Sequence, residues 1–366
     1  MKKIEFSLFQ KFRNKNVIVT GHTGFKGSWL SCWLVLLGAK VIGLSINIPS
    51  NPSHFNAINL KRKIIHKKID IRNLKALKKT FKKYQPDYVF HLAAQSLVGR
   101  SYSDPVYTWE TNTIGTLNIL ESLKELKKNC AAVLITSDKS YKNLEIKRGY
   151  KEDDILGGKD PYSASKASAE LAIQSHISSF FPLKKTKVFI GVARAGNVIG
   201  GGDWSENRLI PDCVKSWSKN KKALIRNPKS TRPWQHVLEA VSGYLLLALK
   251  LKKNKKHHGQ VFNFGPNNTK NYNVIFLVKL IKKFWKEISW KMLNRRKQSF
   301  HESNLLKLNS NKAKKQLKWK CILSFVETIS MVADWYKNYY FRTKKMFEVS
   351  SDQIKKYEKL LKKRSI

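Results

Sequence analysis

The sequence has few acidic residues, few cysteines and no long uninterrupted apolar run. Only 25 Asp and Glu residues stand against 71 Lys and Arg, a formal net charge of +46 over 366 residues. The cysteines are far apart and form no CxxC motif, which argues against a disulfide framework and a zinc site and favours a reducing cytoplasm. They are Cys32, Cys130, Cys213 and Cys321. The most apolar early stretch, residues 29–44, contains Lys40 and follows a glycine loop, so we predict a buried helix and strand rather than a membrane span.

The basic excess could serve nucleic acid or an anionic membrane, or it could be lysine at solvated positions. The lysines recur in pairs along the whole chain, as at Lys78-Lys79, Lys127-Lys128 and Lys221-Lys222. No basic motif with interleaved aromatics is visible. We therefore predict no specific nucleic-acid partner and no membrane partner, with only generic affinity for polyanions.

What the sequence does contain is a repeated alternation of short apolar runs with helical patterns. Predicted strands are 16–20, 40–46, 64–71, 87–92, 131–137 and 187–193. Predicted helices are 26–37, 73–84, 108–126, 162–180, 234–251, 273–285 and 324–340. Strands separated by helices of this length are typical of βαβ units in a parallel sheet. The fold class predicted is α/β, a doubly wound parallel Rossmann sheet with a smaller, mostly C-terminal substrate-binding α/β domain.

After residue 195 the sequence changes to loops rich in Gly, Asn, Pro and Trp. We predict that residues 1–195 bind the dinucleotide and that 233–265 pack back on that domain. Residues 196–232 and 266–345 would bind substrate. The charged tail, 346–366, is predicted to be an exposed helix.

The first predicted strand ends in a glycine loop, TGHTGFKG, that opens a helix. Gly21 suits the tight turn, Gly24 lets the backbone approach a pyrophosphate, and Gly27 lets helix and strand pack closely. The helix N-terminus supplies N–H donors to phosphates. This arrangement predicts a nicotinamide dinucleotide cofactor.

The residues predicted to bind the adenosine end of the cofactor do not distinguish NAD from NADP. An acid is expected near the end of the second strand, but residues 44–47 read LSIN. His22 and Lys26 could even accept a 2′-phosphate, so these residues leave NAD and NADP open. Asp70, after the third strand, is either an adenine contact or a strand-end cap.

The motif YSASK, at residues 162–166, predicts the catalytic centre. Tyr162 and Lys166 lie on one helix face, where an ammonium would lower the pKa of the phenol so that it can take a hydroxyl proton. Ser137, Asp138 and Lys139 end the fifth strand, at the edge where parallel sheets bind ligands. Ser137 can share a substrate hydroxyl, while Asp138 and Lys139 add an acid and a base, unless they form only a solvated turn.

With these motifs assembled, the chain resembles the CDP-glucose 4,6-dehydratase family of extended short-chain dehydrogenase/reductases over nearly its whole length. The segments that carry the resemblance are TGHTGFKGSWL (20–30), HLAAQSLVGRSYSDP (91–105), TNTIGTLNILE (111–121), TSDKSY (136–141), GGKDPYSASKASAEL (157–171), ARAGNVIGGGDW (193–204), NRLIPD (207–212) and RPWQHVLEAVSGYL (232–245). Ser140 and Asn309 depart from the family pattern, where a cysteine and an aspartate are usual.

The resemblance implies a lyase that dehydrates CDP-glucose without net redox change, using NAD. Tyr162, with Ser137 and Lys166, would take the C4 hydroxyl proton while hydride leaves C4. Lys139 would take the C5 proton and Asp138 would protonate the departing C6 hydroxyl. Deoxysugar formation for lipopolysaccharide O-antigen is the implied setting.

The resemblance also implies the binding residues. For NAD these are Gly21, Thr23, Gly24, Phe25, Lys26, Gly27, Asp70, Ile71, Ala93, Asn112, Tyr162 and Lys166. For the nucleotide sugar they are Gln95, Asn197, Arg208, Arg226 and Arg232. No metal is expected. A homodimer or homotetramer would form through helices 108–126 and 162–180.

Two rival interpretations remain at this point. A 4-epimerase, or a dehydratase for dTDP-, GDP- or UDP-sugars, would share the fold, although epimerases need no acid/base pair such as Asp138 and Lys139. A non-catalytic nucleotide- or polyanion-binding Rossmann protein would not need an intact Ser137, Tyr162 and Lys166.

Overall fold

The computed structural model describes residues 8–146, 148–266, 272–293 and 306–364. Within these ranges the strands are β1 Asn16–Thr20, β2 Lys40–Ser45, β3 Ile65–Lys68, β4 Tyr88–His91, β5 Cys130–Ile135, β6 Val188–Ala195, β7 Val198–Ile199, β8 Ala223–Ile225, β9 Thr231–Arg232, β10 Gln235–His236, β11 Val261–Phe264, β12 Tyr272–Asn273 and β13 Trp290–Met292. The α-helices are α1 Phe25–Leu36, α2 His54–Ala57, α3 Leu74–Tyr84, α4 Val98–Ser103, α5 Pro105–Trp109, α6 Gly115–Leu123, α7 Pro161–Phe180, α8 Leu209–Trp217, α9 Val237–Lys253, α10 Val274–Phe284, α11 Phe325–Phe341 and α12 Met346–Arg364.

The central sheet has seven strands among the described residues, in the order β3-β2-β1-β4-β5-β6-β11. Every neighbouring pair is parallel, as in the pairing of Val17 with Val41 on one side and with Tyr88 on the other. From β1 the chain builds the sheet first toward β2 and β3 and then, from β4 onward, on the other side of β1. This change of side leaves a crevice at the carboxyl ends of β1 and β4. The predicted doubly wound Rossmann sheet is confirmed.

Helices cover both faces of this sheet, because alternate residues of each strand point to opposite sides. Val17 and Val19 of β1 join a core with α1 and α9, whereas Ile18 joins a core with α3, α6 and α7. Strands buried on both faces read as continuous apolar runs, which is why the sequence revealed them.

The last strand of the sheet, β11, was not predicted. It pairs with β6 through four residues, Val261 with Val192 to Phe264 with Ala195. Its short run, VFNF, is interrupted by Asn263, which is completely buried. Asn263 donates its side-chain amide to the carbonyl of Tyr150, so a long-range bond satisfies a polar group that made the run look unlike a strand.

Smaller strand pairs lie outside the central sheet. β8 pairs with β13 in parallel, and β9 pairs with β12 antiparallel. Together with α8, α10 and α11 they form the smaller α/β part of the chain, which confirms that expectation. The exact division into residue ranges stays a prediction, and residues 267–271 and 294–305 of the second substrate-binding range lie outside the described residues.

The prediction of an exposed C-terminal helix is wrong. α12 buries Val349, Ile354, Tyr357 and Leu361 against the rest of the chain. The buried residues recur at helical spacing, while the many lysines occupy the opposite face. The many lysines of this segment suggested a solvated tail. The apolar residues on one face of the helix nevertheless cause it to pack against the rest of the chain. Among the described residues, no helix combines the length and the apolar character needed to cross a membrane.

Candidate functional site

A tight turn after β5 carries three of the predicted catalytic residues. Ser137 caps the 3-10 turn Asp138–Ser140, since its hydroxyl oxygen accepts the backbone N–H of Lys139 at 3.2 Å. The same hydroxyl donates to the Asp138 carboxylate at 3.0 Å. A Cβ on Gly196, just after β6, would lie 3.2 Å from an Asp138 oxygen, so the absence of a side chain there leaves room for this carboxylate.

The helix α7 presents Tyr162 and Lys166 to this turn. Asp160 caps its N-terminus by accepting the backbone N–H of Ser163 at 2.9 Å, and Pro161 occupies the first helical position. Both Tyr162 and Lys166 are buried, and Tyr162 is within hydrogen-bonding reach of Ser137. The structure therefore brings Ser137, Asp138, Tyr162 and Lys166 together as expected.

The expected lowering of the Tyr162 pKa is not produced by the surrounding side chains. Burial raises the pKa of Tyr162 to about 12, and the hydrogen bond from Ser137 opposes this only in part. Nearby Asp138 raises it further because a second negative charge disfavours the phenolate.

The site also holds buried positive charge close to Asp138. Burial lowers the pKa of Lys166 to about 8, and the positive charge of Lys26 lowers it further. Burial likewise lowers the pKa of Lys26 to about 8, while Asp138 raises it. Burial raises the pKa of Asp138, with Lys139 the foremost charge opposing that rise. A carboxyl whose pKa is raised in this way suits a general acid.

The glycine loop fits a dinucleotide pyrophosphate. Gly21 has φ +71, and a Cβ there would lie 2.7 Å from the backbone nitrogen of Ala93 at the end of β4. A Cβ on Gly27 would lie 2.1 Å from the carbonyl oxygen of Gly21. Gly24 is the N-cap of α1, and no side chain caps the first N–H groups of this 12-residue helix.

The suggestion that His22 and Lys26 could accept a 2′-phosphate is wrong. His22 is completely buried, and its two ring nitrogens lie 2.7 Å from His66 Nδ1 and 3.1 Å from Ser45 Oγ. Burial lowers the pKa of His22 to about 4, so the ring is neutral at physiological pH. Lys26 lies beside Asp138 and Asp203 at the catalytic end. Thr23, also buried, donates its hydroxyl to the carbonyl of Asn47 at 2.6 Å.

The residues that follow β3 include Asp70 and Ile71, which were predicted to contact the cofactor. Asp70 accepts three hydrogen bonds from the Arg72 guanidinium, and Arg72 also pairs with Glu110 at 2.8 Å. The pairing holds the pKa of Asp70 below its ordinary value against the effect of burial. Ile71 is buried under Gly115 of α6. Asp70 also accepts the backbone N–H of Arg72 at 2.9 Å, as a strand-end cap does, and its contact with adenine stays a prediction.

Asn112 and Gln95 act on the protein's own backbone. The Asn112 amide donates to the carbonyl of Gln95 at 3.0 Å and to Ser165 on α7 at 2.9 Å, and its oxygen accepts the Gln95 N–H. The Gln95 side chain donates to Leu97 and Thr108 and accepts the N–H of Leu97. These bonds order the loop that carries Gln95, and its contact with the substrate stays a prediction.

The predicted substrate residues lie at different distances from the catalytic groups. Arg208 is within electrostatic range of Tyr162 and pairs with Asp203 at 2.9 Å. Arg226 lines a surface cavity of about 360 Å³, together with Glu206, Asn207, Asp212, Ser216 and Leu224. Asn197 is exposed directly after β6. Arg232 lies on β9 and donates to the carbonyl of Thr231 at 2.8 Å.

Several site residues were missed by the sequence analysis. Asp203 is buried and anchors Arg208, and His91 bridges Thr20 and Thr116 at 2.7 and 3.0 Å beneath the glycine loop. Glu170 and Arg194 form a buried ion pair behind the catalytic turn. Glu170 follows Lys166 by four residues, so continuing the helical spacing past the YxxxK motif would have found it. Among the described residues, no three His, Cys, Asp or Glu side chains are grouped so as to hold a metal.

Comparison with known proteins gives consistent matches over the whole chain. Residues 18–332 match the family model of GDP-mannose 4,6 dehydratase. The chain is 42% identical over 350 residues to CDP-glucose 4,6-dehydratase of Salmonella typhimurium, covering 94% of this chain and 97% of that protein. It is 27% identical to dTDP-glucose 4,6-dehydratase of Haemophilus influenzae, covering 88% and 97%.

Solved structures show the same fold. The epimerase Mth375 of Methanothermobacter thermautotrophicus superposes with a TM-score of 0.78 at 25% identity, covering 92% of this chain and 96% of that one. A dTDP-glucose 4,6-dehydratase of Bacillus anthracis, solved in complex with NAD, superposes with a TM-score of 0.70 at 22% identity, covering 88% and 97%.

Proposed function

The chain belongs to the GDP-mannose 4,6 dehydratase family, and on that premise we propose that it is a hydro-lyase that converts CDP-glucose to CDP-4-dehydro-6-deoxyglucose. The observation that carries the proposal is the convergence of two elements on one site. The α7 helix brings Tyr162 and Lys166, and the turn after β5 brings Ser137, Asp138 and Lys139. The 42% identity to a CDP-glucose 4,6-dehydratase supports the choice of reaction and of nucleotide.

The proposed cofactor is NAD, held by the glycine loop, the N-terminus of α1 and the β3 end. When bound, NAD would supply the redox chemistry, as the acceptor of hydride from C4 of the sugar and its donor to C6. The crowded backbone at Gly21 and Gly27 supports the pyrophosphate site. Lys166 would contact the ribose and Asn112 would hold the loop that borders it.

The chain's own residues divide the proton transfers. Tyr162, assisted by Ser137, takes the proton of the C4 hydroxyl, since its phenol lies within reach of that serine. The resulting 4-ketone acidifies the C5 proton, which Lys139 takes. Asp138 gives its proton to the departing C6 hydroxyl, so that water leaves, and Lys139 gives its proton back to C5 when hydride is added at C6. The raised pKa of Asp138 supports this last role, because the group must be protonated before it can act.

Substrate binding would extend from Tyr162 past Arg208 to the cavity that Arg226 lines. Arg208 is held by Asp203 and has the fork geometry that suits a diphosphate. Asn197 and Arg232 complete the proposed set. In this division residues 1–195 and 233–265 form the NAD part, and 196–232 with 266–345 form the substrate part.

The same family membership supports a proposal for the location, pathway and assembly of the enzyme. We place it in the cytoplasm, in deoxysugar biosynthesis that feeds lipopolysaccharide O-antigen. Association as a homodimer or homotetramer is supported by apolar side chains left exposed on α5, the following turn and α7, namely Val106, Ile114 and Leu171.

The proposal is tested by incubating the purified protein and NAD with CDP-, dTDP-, UDP- and GDP-glucose. We expect 4-keto-6-deoxy product from CDP-glucose, with no net accumulation of NADH because hydride returns to C6. Stoichiometric NADH would instead indicate a plain dehydrogenase. A C4 epimer without loss of water would indicate an epimerase, and preference for another nucleotide would overturn the choice of base.

A further inference from the structure

A buried ion pair joins the helix that carries Tyr162 to the sheet. Glu170 on α7 follows Tyr162 by eight residues and Lys166 by four, so the three share one helix face. The Glu170 and Arg194 side chains are 0% and 1% exposed. The Arg194 Nε donates to both carboxylate oxygens, at 2.8 and 2.9 Å. This pair lies one helical turn from the catalytic lysine.

The ion pair holds one end of the catalytic turn through Thr136. The Thr136 hydroxyl donates to Glu170 Oε1 at 2.7 Å. Its backbone N–H donates to the carbonyl of Ala193, the residue before Arg194. Because Thr136 immediately precedes Ser137, this bond fixes the point at which the turn leaves the sheet.

The same ion pair holds the other end of the turn through Tyr141. The Arg194 guanidinium lies 4.5 Å from the centre of the Tyr141 ring. Tyr141 ends the 3-10 turn, and its hydroxyl donates to Asn263 of β11 at 2.8 Å. Arg194 also donates to the carbonyl of Glu152 at 3.0 Å. Both ends of the segment 136–141 therefore meet at one pair of charges.

A buried ion pair is weak evidence of stability, because desolvation of two charges offsets much of their attraction. The geometry of this pair instead suggests that it aligns the catalytic turn with α7. We propose that Glu170, with Arg194, is a positioning residue that sets the catalytic turn against α7. Residues of α7 would then act in the oxidation of C4, while residues of the catalytic turn remove the C5 proton and the C6 hydroxyl of the same sugar. This inference rests on the proposed dehydration.

The test is Thr136→Val, which removes the hydroxyl bond to Glu170 but keeps the shape of the side chain and leaves the ion pair intact. Tyr162 and Lys166 are held independently by the Asp160 cap and by α7 itself. Asp138 and Lys139 depend on the turn, so elimination should slow more than C4 oxidation. We expect product formation to fall at least ~10-fold, since a misplacement of about 1 Å can cost on the order of 100-fold. In single turnovers with CDP-glucose, a larger fraction of NADH should accumulate.

Two further variants separate positioning from loss of structure. Thr136→Ser keeps the hydroxyl and should restore the wild-type NADH fraction. Thr80→Val is the matched control, because Thr80 is also buried and donates to a backbone carbonyl at 2.8 Å, but on α3, away from the turn. A merely structural defect lowers the amount of active protein, so both half-reactions fall together and the NADH fraction stays unchanged.

The inference is overturned if Thr136→Val shows the wild-type NADH fraction, or if Thr136→Ser behaves like Thr136→Val. Failure of the proposed function would look different, because the wild-type protein itself would then form no dehydrated product from CDP-glucose. The position of the turn has a readout that is independent of turnover. Amide hydrogen exchange of residues 137–141 should increase in Thr136→Val and stay unchanged in Thr80→Val.

Discussion

Tyr357 on α12 donates its hydroxyl to the carboxylate of Glu239 on α9 at 2.6 Å, across 118 residues of sequence. The other Glu239 oxygen accepts the backbone N–H groups of Ile322 and Leu323. Both side chains are completely or almost completely buried. The Glu239 carboxyl group, near the N-terminus of α9, therefore links α12 to α9.

Tyr357→Phe should destabilise the protein by about 1–3 kcal/mol, because a buried carboxyl loses a hydrogen-bond donor. Ser242 also lies 2.9 Å from the Tyr357 hydroxyl and would lose that partner. Urea unfolding measures the change. Tyr339→Phe is the control, since its ring contacts with Trp204 and Trp335 survive the substitution. Equal stabilities for the two variants would contradict the role of this bond.

The Glu239 carboxyl should also make stability depend on pH. Burial raises its pKa from the ordinary 4.5 to about 7, against the bond from Tyr357. The folded protein therefore holds this proton more tightly than the unfolded chain. The contribution is largest below pH 4.5 and is lost as pH rises through 7, with a slope of at most about 1.4 kcal/mol per pH unit.

The measurement is the difference in unfolding free energy between the wild type and Glu239→Gln at several pH values, which cancels the titration of all other groups. That difference should shift against the wild type between pH 4.5 and 7. A constant difference across this window would show that Glu239 has the same proton affinity in both states.

Lys139→Ala and Asp138→Asn should stop the reaction at different points. Without Lys139 the C5 proton stays, so dehydration and C5 exchange with solvent are lost while hydride transfer from C4 continues. Without the acid proton of Asp138, C5 exchange continues but water loss stalls. Mass spectrometry of sugar recovered from D₂O distinguishes the two. Wild-type C5 deuterium in Lys139→Ala would show that another group is the base.

Leu171→Asp should weaken self-association. Leu171 is 57% exposed on α7, and a carboxylate there would have to be desolvated in a dimer. Light scattering should show a shift toward monomer. Val326→Asp is the control, because Val326 is 51% exposed on α11, outside the proposed interface. A wild-type protein that is already monomeric at micromolar concentration would contradict the proposed association.

Binding to nucleic acid should be weak and independent of sequence. The charge of +46 attracts any polyanion by releasing counterions, so affinity should fall steeply as salt increases. Titrations of two unrelated DNA duplexes at low and physiological salt measure this. Sequence-selective, tight binding that survives physiological salt would show a dedicated nucleic-acid function.

The sequence by itself determined the features that depend on local pattern. Strands buried on both faces appear as apolar runs in the sequence. The glycines of residues 21–27 predict that the backbone comes close to a bound phosphate. The spacing of Tyr162 and Lys166 predicts that both lie on one helix face. These signals depend on neighbours within a few residues, so six of the seven sheet strands and the catalytic groups could be predicted. The prediction of an exposed tail was wrong, because the contacts that bury α12 come from helices far away in the sequence.

Only the tertiary structure decided which charges meet. Glu170 binds Arg194 of β6 and Thr136, the residue after β5, and Asp203 comes to lie beside Lys26. Tyr162 has a raised rather than a lowered pKa, since burial outweighs the effect of the nearby positive charges. Electrostatic interactions depend on distance and on exclusion of water, and both are set by the packing of segments that lie far apart in the chain.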